Sequence, residues 1–175
     1  MKRPVYVALL PLLLAAALAV TGTHAPSASA QHDRRHDESF SAFLRKFEEA
    51  NTAFVNGDAS KWMPLVSHSA KTSIFGGFGG YEVGWDQIGP RYEWAAAQFR
   101  PSGAQVDFQY LQKHSNGQTA YSVAIERSTV LYVNRPDPVP QNLRVTMVFR
   151  KEYGKWKIVH RHADFLAPTG PPPSS

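Results

Sequence analysis

The sequence predicts an α+β fold in which N-terminal helices pack on the concave face of a curved, cone-shaped antiparallel sheet. Two observations lead to this prediction. Apolar residues recur at three- and four-residue spacing over residues 40–54 and 85–99, which is typical of amphipathic helices. Farther along, they alternate with polar residues over residues 105–114, 119–133 and 144–165, as in strands with one buried face. Helices followed by antiparallel strands favour one α+β domain with a cavity between its layers.

The helices are predicted in the first half of the chain. Residues 40–54 form the first helix, which ends at Asn56-Gly57. Asp58 is expected to cap a short second helix that carries Trp62, Leu65 and Val66. Pro90 lacks an N–H group and its ring would meet a carbonyl of the preceding turn. We therefore expect a separate or kinked turn at residues 85–89 and a main helix over residues 90–99.

A brief strand is predicted at residues 72–75, before the helix that contains Pro90. Four long antiparallel strands are predicted after that helix. They are separated by segments rich in glycine, proline and asparagine or by short polar turns, at residues 115–117, 134–140 and 151–155.

The two ends of the chain differ in composition from the middle. Residues 1–30 combine a basic start, a short apolar run and an A-x-A site, which is typical of a secretory signal peptide. Cleavage is expected after Ala30, and the alternative is an uncleaved anchor. A flexible lead-in at 31–39, a domain at 40–166 and a disordered Pro/Ser-rich tail at 167–175 follow. We predict an exported protein, periplasmic or secreted, that has no membrane attachment after cleavage.

Composition excludes several classes of function. The 175-residue chain has a formal net charge of +5, and its basic residues are scattered rather than gathered in a stripe. Nucleic-acid binding is therefore not expected. Cysteine is absent, which rules out disulfides, thiolate catalysis and thiolate metal sites.

The order of elements, together with the final WKIVHRHAD segment, resembles the nuclear-transport-factor-2-like superfamily, and within it the SnoaL-like domains. The chain is also similar to the hub domain of calmodulin-dependent kinase, whose HxH pattern matches His160 and His162. The resemblance covers about residues 40–166. It implies a cone-shaped cavity and a homodimer formed through the outer sheet face. It does not specify the chemistry, because isomerases, dehydratases, cyclases, carriers and assembly domains share this fold.

The last predicted strand carries the candidate catalytic groups. His160, His162 and Asp164 lie two residues apart, so their side chains project from one face. A histidine oriented by Asp164 or Glu126 can move protons near neutral pH. The same groups could form a facial Zn or Fe site, or could serve the structure alone at the end of the sheet or in a dimer interface. Between a metal site and acid–base chemistry we favour acid–base chemistry, and we expect no metal or other cofactor.

Strand parity leaves two faces to choose from. Trp156, Ile158, His160 and His162 are expected to share one face, whereas Val159, Arg161, Ala163 and Phe165 share the other. Both faces are partly apolar, so either could line the cavity. If the second face does, Arg161 is the charge in the pocket and the histidines lie at an interface.

The predicted ligand site combines aromatic and charged side chains. Its expected lining comprises Phe75, Phe78, Tyr81, Trp85, Tyr92, Glu126, Arg144 and Arg161. Glu126 lies in an apolar strand, and a structural pair with Arg127 or Arg144 is the alternative to a catalytic role. The glycine-rich run at residues 76–80 lacks a phosphate-loop ending and is either a flap over the cone mouth or an ordinary loop.

These features predict an exported domain that binds a small, partly apolar organic ligand. Acid–base isomerisation, dehydration or hydrolysis of that ligand is the enzymatic form of this hypothesis. The alternative is a non-catalytic, dimeric assembly or interaction domain that uses the exposed sheet face.

Overall fold

The computed structural model describes residues 38–167. The predicted signal peptide, most of the predicted lead-in and residues 168–175 of the predicted tail lie outside these residues. Within residues 38–167, no helix is long and apolar enough to cross a membrane.

Helix α1 spans Phe40–Phe54. It begins where the Ser39 hydroxyl accepts a hydrogen bond from the amide of Ala42, at 3.1 Å. It ends before Gly57, whose φ of 93° lies in the left-handed region that favours glycine. A side chain at Gly57 would also lie only 2.9 Å from the Phe99 carbonyl oxygen, so the chain passes closely there.

The predicted second helix is wrong. The Asp58 carboxylate caps a turn by accepting a hydrogen bond from Ser60 N at 2.8 Å, but only a single 3₁₀ turn follows, at Met63–Leu65. Pro64 lies inside this turn and has no N–H group with which to extend a helix. Trp62 and Val66 are nevertheless buried, so tertiary packing rather than helix formation explains their apolar pattern.

The predicted separate turn at residues 85–89 is also wrong, because helix α2 is continuous over Trp85–Ala96. Pro90 lies after only one turn of this helix, so it removes a single early hydrogen bond. The preceding Gly89 has no Cβ to clash with the proline ring, which permits a helical conformation before Pro90. Burial of Ile88 and Tyr92 on the same side of α2 stabilises the continuous helix.

Within residues 38–167 the sheet has seven strands in the order β2-β1-β7-β6-β5-β3, and β4 also pairs with β5. Their bounds are Ser73–Phe75 (β1), Tyr81–Val83 (β2), Phe99–Arg100 (β3), Asp107–Ser115 (β4), Thr119–Tyr132 (β5), Val139–Glu152 (β6) and Lys155–Phe165 (β7). The four long antiparallel strands are confirmed. Because β1 runs parallel to β7, the sheet is mixed. The very short strands β2 and β3 were not predicted.

A β-bulge in β7 overturns the predicted faces of the last strand. Ile158 pairs with Phe149 and His160 pairs with Val148, which leaves Val159 as an extra residue between them. The bulge reverses the alternation, so Ile158 and Arg161 both face the concave side. The expectation that His160 and His162 share a face with Ile158 is therefore wrong.

The main core lies between α1 and the concave face of the sheet. It is rich in aromatic rings, and Phe149 of β6 contacts the rings of Phe40, Phe43 and Phe47 at centroid distances of 5.2, 5.5 and 6.2 Å. Such edge-to-face pairs add to the stabilisation from buried area. This packing fixes α1 over the sheet, and the last turn of α1 borders the cavity described below.

The β6–β7 turn offers a simple stability prediction. Tyr153 is fully exposed and has a φ of 50°, a left-handed conformation that costs a tyrosine more than an asparagine. Tyr153→Asn is expected to raise the free energy of unfolding by about 0.5–1 kcal/mol, measured by urea denaturation. Tyr153→Phe, which retains the strain, is the control. Equal stabilities of the two variants would contradict the prediction.

Candidate functional site

The candidate site is a cavity between the concave face of the sheet, both helices and the β1–β2 loop. It offers about 80 Å³ to the centres of water-sized molecules, room for several waters at roughly 10–15 Å³ each. Its walls are mainly apolar and include Phe54 of α1, Ala95 of α2, Ile74 of β1, Leu143 of β6 and Ala163 of β7. The polar lining residues are Asn51, Arg91, Tyr92, Glu126, Ser128, Gln141 and Arg161.

A buried ion pair lies in the cavity wall. Glu126 on β5 and Arg161 on β7 are 4% and 8% exposed. The Arg161 guanidinium donates to both carboxylate oxygens, from Nη1 to Oε1 at 3.0 Å and from Nη2 to Oε2 at 2.8 Å. Asn51 of α1 donates to Glu126 Oε2 at 3.1 Å. This bidentate geometry fixes both side chains across the intervening strand β6.

Arg161 keeps its positive charge in spite of its burial. Burial acts to lower the pKa of Arg161, but the charge and hydrogen bonds of Glu126 together more than offset it, so the net direction is upward. Nη1 of Arg161 also lies 3.5 Å from the sulfur of Met147. The predicted cross-strand pairing of Glu126 with Arg127 or Arg144 is therefore wrong, because the partner is Arg161.

Tyr92 supplies a second polar feature of the cavity. This side chain is 6% exposed, and its hydroxyl has no hydrogen-bond partner among residues 38–167. Burial raises the pKa of Tyr92 to about 12, although the charge of Arg161 and the nearby indole of Trp62 partly oppose the rise. The Trp62 indole N–H is likewise buried without a partner in this part of the chain. The hydroxyl is thus a protonated donor at neutral pH.

The β1–β2 loop contributes Gly76, Gly77 and Phe78 to the cavity wall. The ring of Phe78 contacts that of Phe99 at 6.0 Å. Arg91 of α2 donates to the carbonyl oxygen of Gly79 at 2.8 Å, and this bond fastens the loop to the helix. The glycine-rich run therefore borders the cavity.

Half of the predicted ligand-binding residues line the cavity and half do not. Phe78, Tyr92, Glu126 and Arg161 line the cavity, whereas Phe75, Tyr81, Trp85 and Arg144 are not among its lining residues. Because Ile74 faces inward, the next residue of β1 faces outward.

Each of the other four residues has a different environment. The Phe75 ring contacts those of His160 and His162 at 5.3 and 5.2 Å, and its neighbour across the hairpin, Tyr81, is 71% exposed. Trp85 stacks on His68 with a centroid distance of 3.6 Å. Arg144 lies on the outer face and pairs with a carboxylate on β7, as described next.

The candidate catalytic residues lie together on the outer face of β7. Burial and the neighbouring His162 lower the pKa of His160, whose Nδ1 is 2.8 Å from the hydroxyl of Ser73. Asp164 accepts a hydrogen bond from Arg144 Nε at 3.0 Å, and this hydrogen bond is the main cause of the lowered pKa of Asp164. Among the described residues, no group of three His, Cys, Asp or Glu side chains is arranged to hold a metal ion. The acid–base role of these residues stays a prediction.

Two residues that place polar groups near the site, Asn51 and Trp62, were not predicted from the sequence to be site residues. Asn51 follows the apolar spacing of α1, and a polar side chain on an apolar stripe is the signal that could have identified it. Trp62 carried no such signal, since an apolar interpretation fully accounts for a buried tryptophan.

Comparisons with known proteins agree with this architecture. A family model described as a SnoaL-like domain matches residues 44–168. No curated protein matches the sequence significantly. Among solved structures, a nuclear transport factor 2 superfamily protein from Salmonella enterica is 20% identical with a TM-score of 0.61, over 85% of this chain and 100% of that one.

Two further structures are similar at comparable levels. A ketosteroid isomerase-like protein from Erwinia carotovora atroseptica is 14% identical with a TM-score of 0.60, over 75% of this chain and 98% of that one. A protein named as a calcium/calmodulin-dependent protein kinase type II association domain from Thiobacillus denitrificans is 15% identical with a TM-score of 0.59, over 75% of this chain and 98% of that one. At these identities the likeness shows the fold alone.

Proposed function

The chain belongs to the SnoaL-like domain family, and from this premise we propose that its cone cavity binds a small, partly apolar organic molecule. The observation that carries the proposal is a mainly apolar interior space lined in part by Tyr92, whose buried hydroxyl has no hydrogen-bond partner among residues 38–167. Leaving such a donor unsatisfied costs about 1–3 kcal/mol. A bound molecule that offers an acceptor would recover this free energy and would fill the apolar space.

As the enzymatic form of this function, we propose acid–base turnover of the isomerase, dehydratase or hydrolase type. One similar structure is named ketosteroid isomerase-like, which supports the proposal at the level of the fold. In the geometry described above, the sheet separates a ligand in the cavity from His160 and His162. A proton-transfer role for these histidines therefore requires a ligand on the outer face or a rearrangement of β7.

We also propose export after removal of the signal peptide and assembly of a homodimer through the outer sheet face. Phe75 and Tyr81 expose aromatic surface on that face, which favours a protein contact there.

The same exposure supports the second candidate function, a non-catalytic assembly domain. Native mass spectrometry of protein purified from its own export compartment separates these proposals, since it reports subunit number and any retained organic molecule together.

Substitution in the cavity wall tests ligand binding directly. Ala95 of α2 is buried in the wall, so Ala95→Leu is expected to fill part of the cavity and to reduce the retained ligand at least about tenfold. Ala97, the capping residue directly after this helix, is exposed, and Ala97→Leu is the control, with unchanged ligand retention. Equal ligand occupancy in both variants would place the ligand elsewhere and would refute the proposed function of this cavity.

A further inference from the structure

We propose that the cavity selects an uncharged ligand carrying a hydrogen-bond acceptor, because Glu126 neutralises Arg161 and the Tyr92 hydroxyl is a donor without a partner among residues 38–167. This inference rests on the proposed function and adds the chemical class of the ligand. Glu126 determines this selectivity, because its carboxylate already occupies the Arg161 guanidinium that an acidic ligand would bind.

Arg161 alone would make the cavity a site for acids. A buried guanidinium binds carboxylates through two parallel hydrogen bonds. Here that arrangement is already complete, because Glu126 accepts from both Nη atoms at 3.0 and 2.8 Å. An acidic ligand would have to displace Glu126, and the displaced carboxylate would lose its bond from Asn51 while remaining buried. Uncompensated burial of that charge opposes binding of an anion.

The remaining charge in the cavity wall is also matched. Arg91 is the other charged residue among the lining residues, and its Nε lies 3.1 Å from a carboxylate oxygen of Glu82. The described wall therefore holds no unbalanced charge that would attract an ion. Mainly apolar surroundings add a desolvation cost for any charged ligand.

Tyr92 accounts for the acceptor on the ligand. Tyr92 is a lining residue of the cavity, and its buried hydroxyl has no hydrogen-bond partner among residues 38–167. A tyrosine hydroxyl keeps its proton at neutral pH even at its ordinary pKa of about 10, and burial raises the pKa of Tyr92 to about 12, so the group can donate. A carbonyl or ether oxygen on the ligand would complete the bond, whereas a hydrocarbon of the same shape would not.

Three cyclohexane derivatives of similar size test this selectivity. Cyclohexanone is uncharged and carries an acceptor, methylcyclohexane is uncharged without one, and cyclohexanecarboxylate is charged. We expect cyclohexanone to bind the domain roughly 3- to 10-fold more tightly than methylcyclohexane, the worth of one hydrogen bond, and at least about tenfold more tightly than the carboxylate. Dissociation constants are obtained from NMR titrations of amide signals.

Two variants assign the selectivity to its residues. Tyr92→Phe is expected to remove the preference for cyclohexanone over methylcyclohexane. Glu126→Gln is expected to increase carboxylate affinity at least about tenfold by releasing the Arg161 charge, whereas Glu93→Gln, at an exposed position of α2, should not. If Glu126→Gln does not fold, the ranking of the three probes on the unmodified domain still decides the question.

The possible outcomes separate this inference from the proposed function. Equal binding of cyclohexanone and methylcyclohexane, or tighter binding of the carboxylate, would overturn the inference while the cavity still bound a small molecule. Binding of none of the three at millimolar concentration would count against the proposed function, and the inference would fall with it.

Discussion

Arg161→Met is expected to lower the free energy of unfolding by about 3–5 kcal/mol. The substitution removes the partner of Glu126 while the carboxylate stays 4% exposed. Methionine resembles the aliphatic part of arginine in size, so the loss reflects the unpaired charge more than lost packing. Urea denaturation followed by tryptophan fluorescence measures the effect, since Trp62 lies within 5.5 Å of the Arg161 guanidinium.

A matched substitution on the other face of the sheet isolates the role of burial. Arg144 also pairs with a carboxylate, that of Asp164, but both side chains are largely exposed. Arg144→Met should therefore change stability far less than Arg161→Met does, because water screens an exposed ion pair. The double variant Arg161→Met with Glu126→Leu should recover most of the lost stability, because it removes the buried charge altogether. Equal losses at positions 144 and 161 would contradict this account.

The sequence contained enough information for the fold because its apolar spacing is local. Residues 40–54 repeat at helical spacing and the long strands alternate, so each segment indicates its own secondary structure and its buried face. The order of helices and strands then restricts the domain to one familiar architecture. Family membership confirms that prediction.

The errors arose where tertiary contacts overrule local signals. Burial of Trp62 without a helix, and a continuous helix through Pro90, both depend on packing against distant residues. The bulge at Val159 lies where the partner of β7 changes from the bridge at Val66 to strand β1, and no residue type in β7 reveals that change.

The same limit applies to the candidate site. Tyr92, Glu126 and Arg161 were identified as polar or aromatic candidates, but the pairing of Glu126 with Arg161 depends on the bulge. Without the bulge, strict alternation after Ile158 would point Arg161 outward and His160 into the cavity. A single extra residue thus determines which titratable groups meet the ligand, and strand periodicity alone could not choose between them.

Phe149→Ala is expected to destabilise the domain by about 3–5 kcal/mol. Phe149 is fully buried, and its ring joins β6 to Phe43 and Phe47 of α1. Removal of the ring leaves a cavity that these neighbours cannot fill without shifting the helix. Thermal and urea denaturation measure the loss. Phe165→Ala, at a half-exposed position of β7, is the control and should cost about 1 kcal/mol or less.

The effect of Phe149→Ala should extend to the candidate site because α1 serves both regions. The first turns of α1 pack on Phe149, and its last turn brings Asn51 to Glu126 and Phe54 to the cavity wall. We therefore expect weaker binding of cyclohexanone by the folded variant, with amide signals of Asn51 and Phe54 shifted in NMR spectra. Unchanged signals there would show that the two ends of α1 are positioned independently.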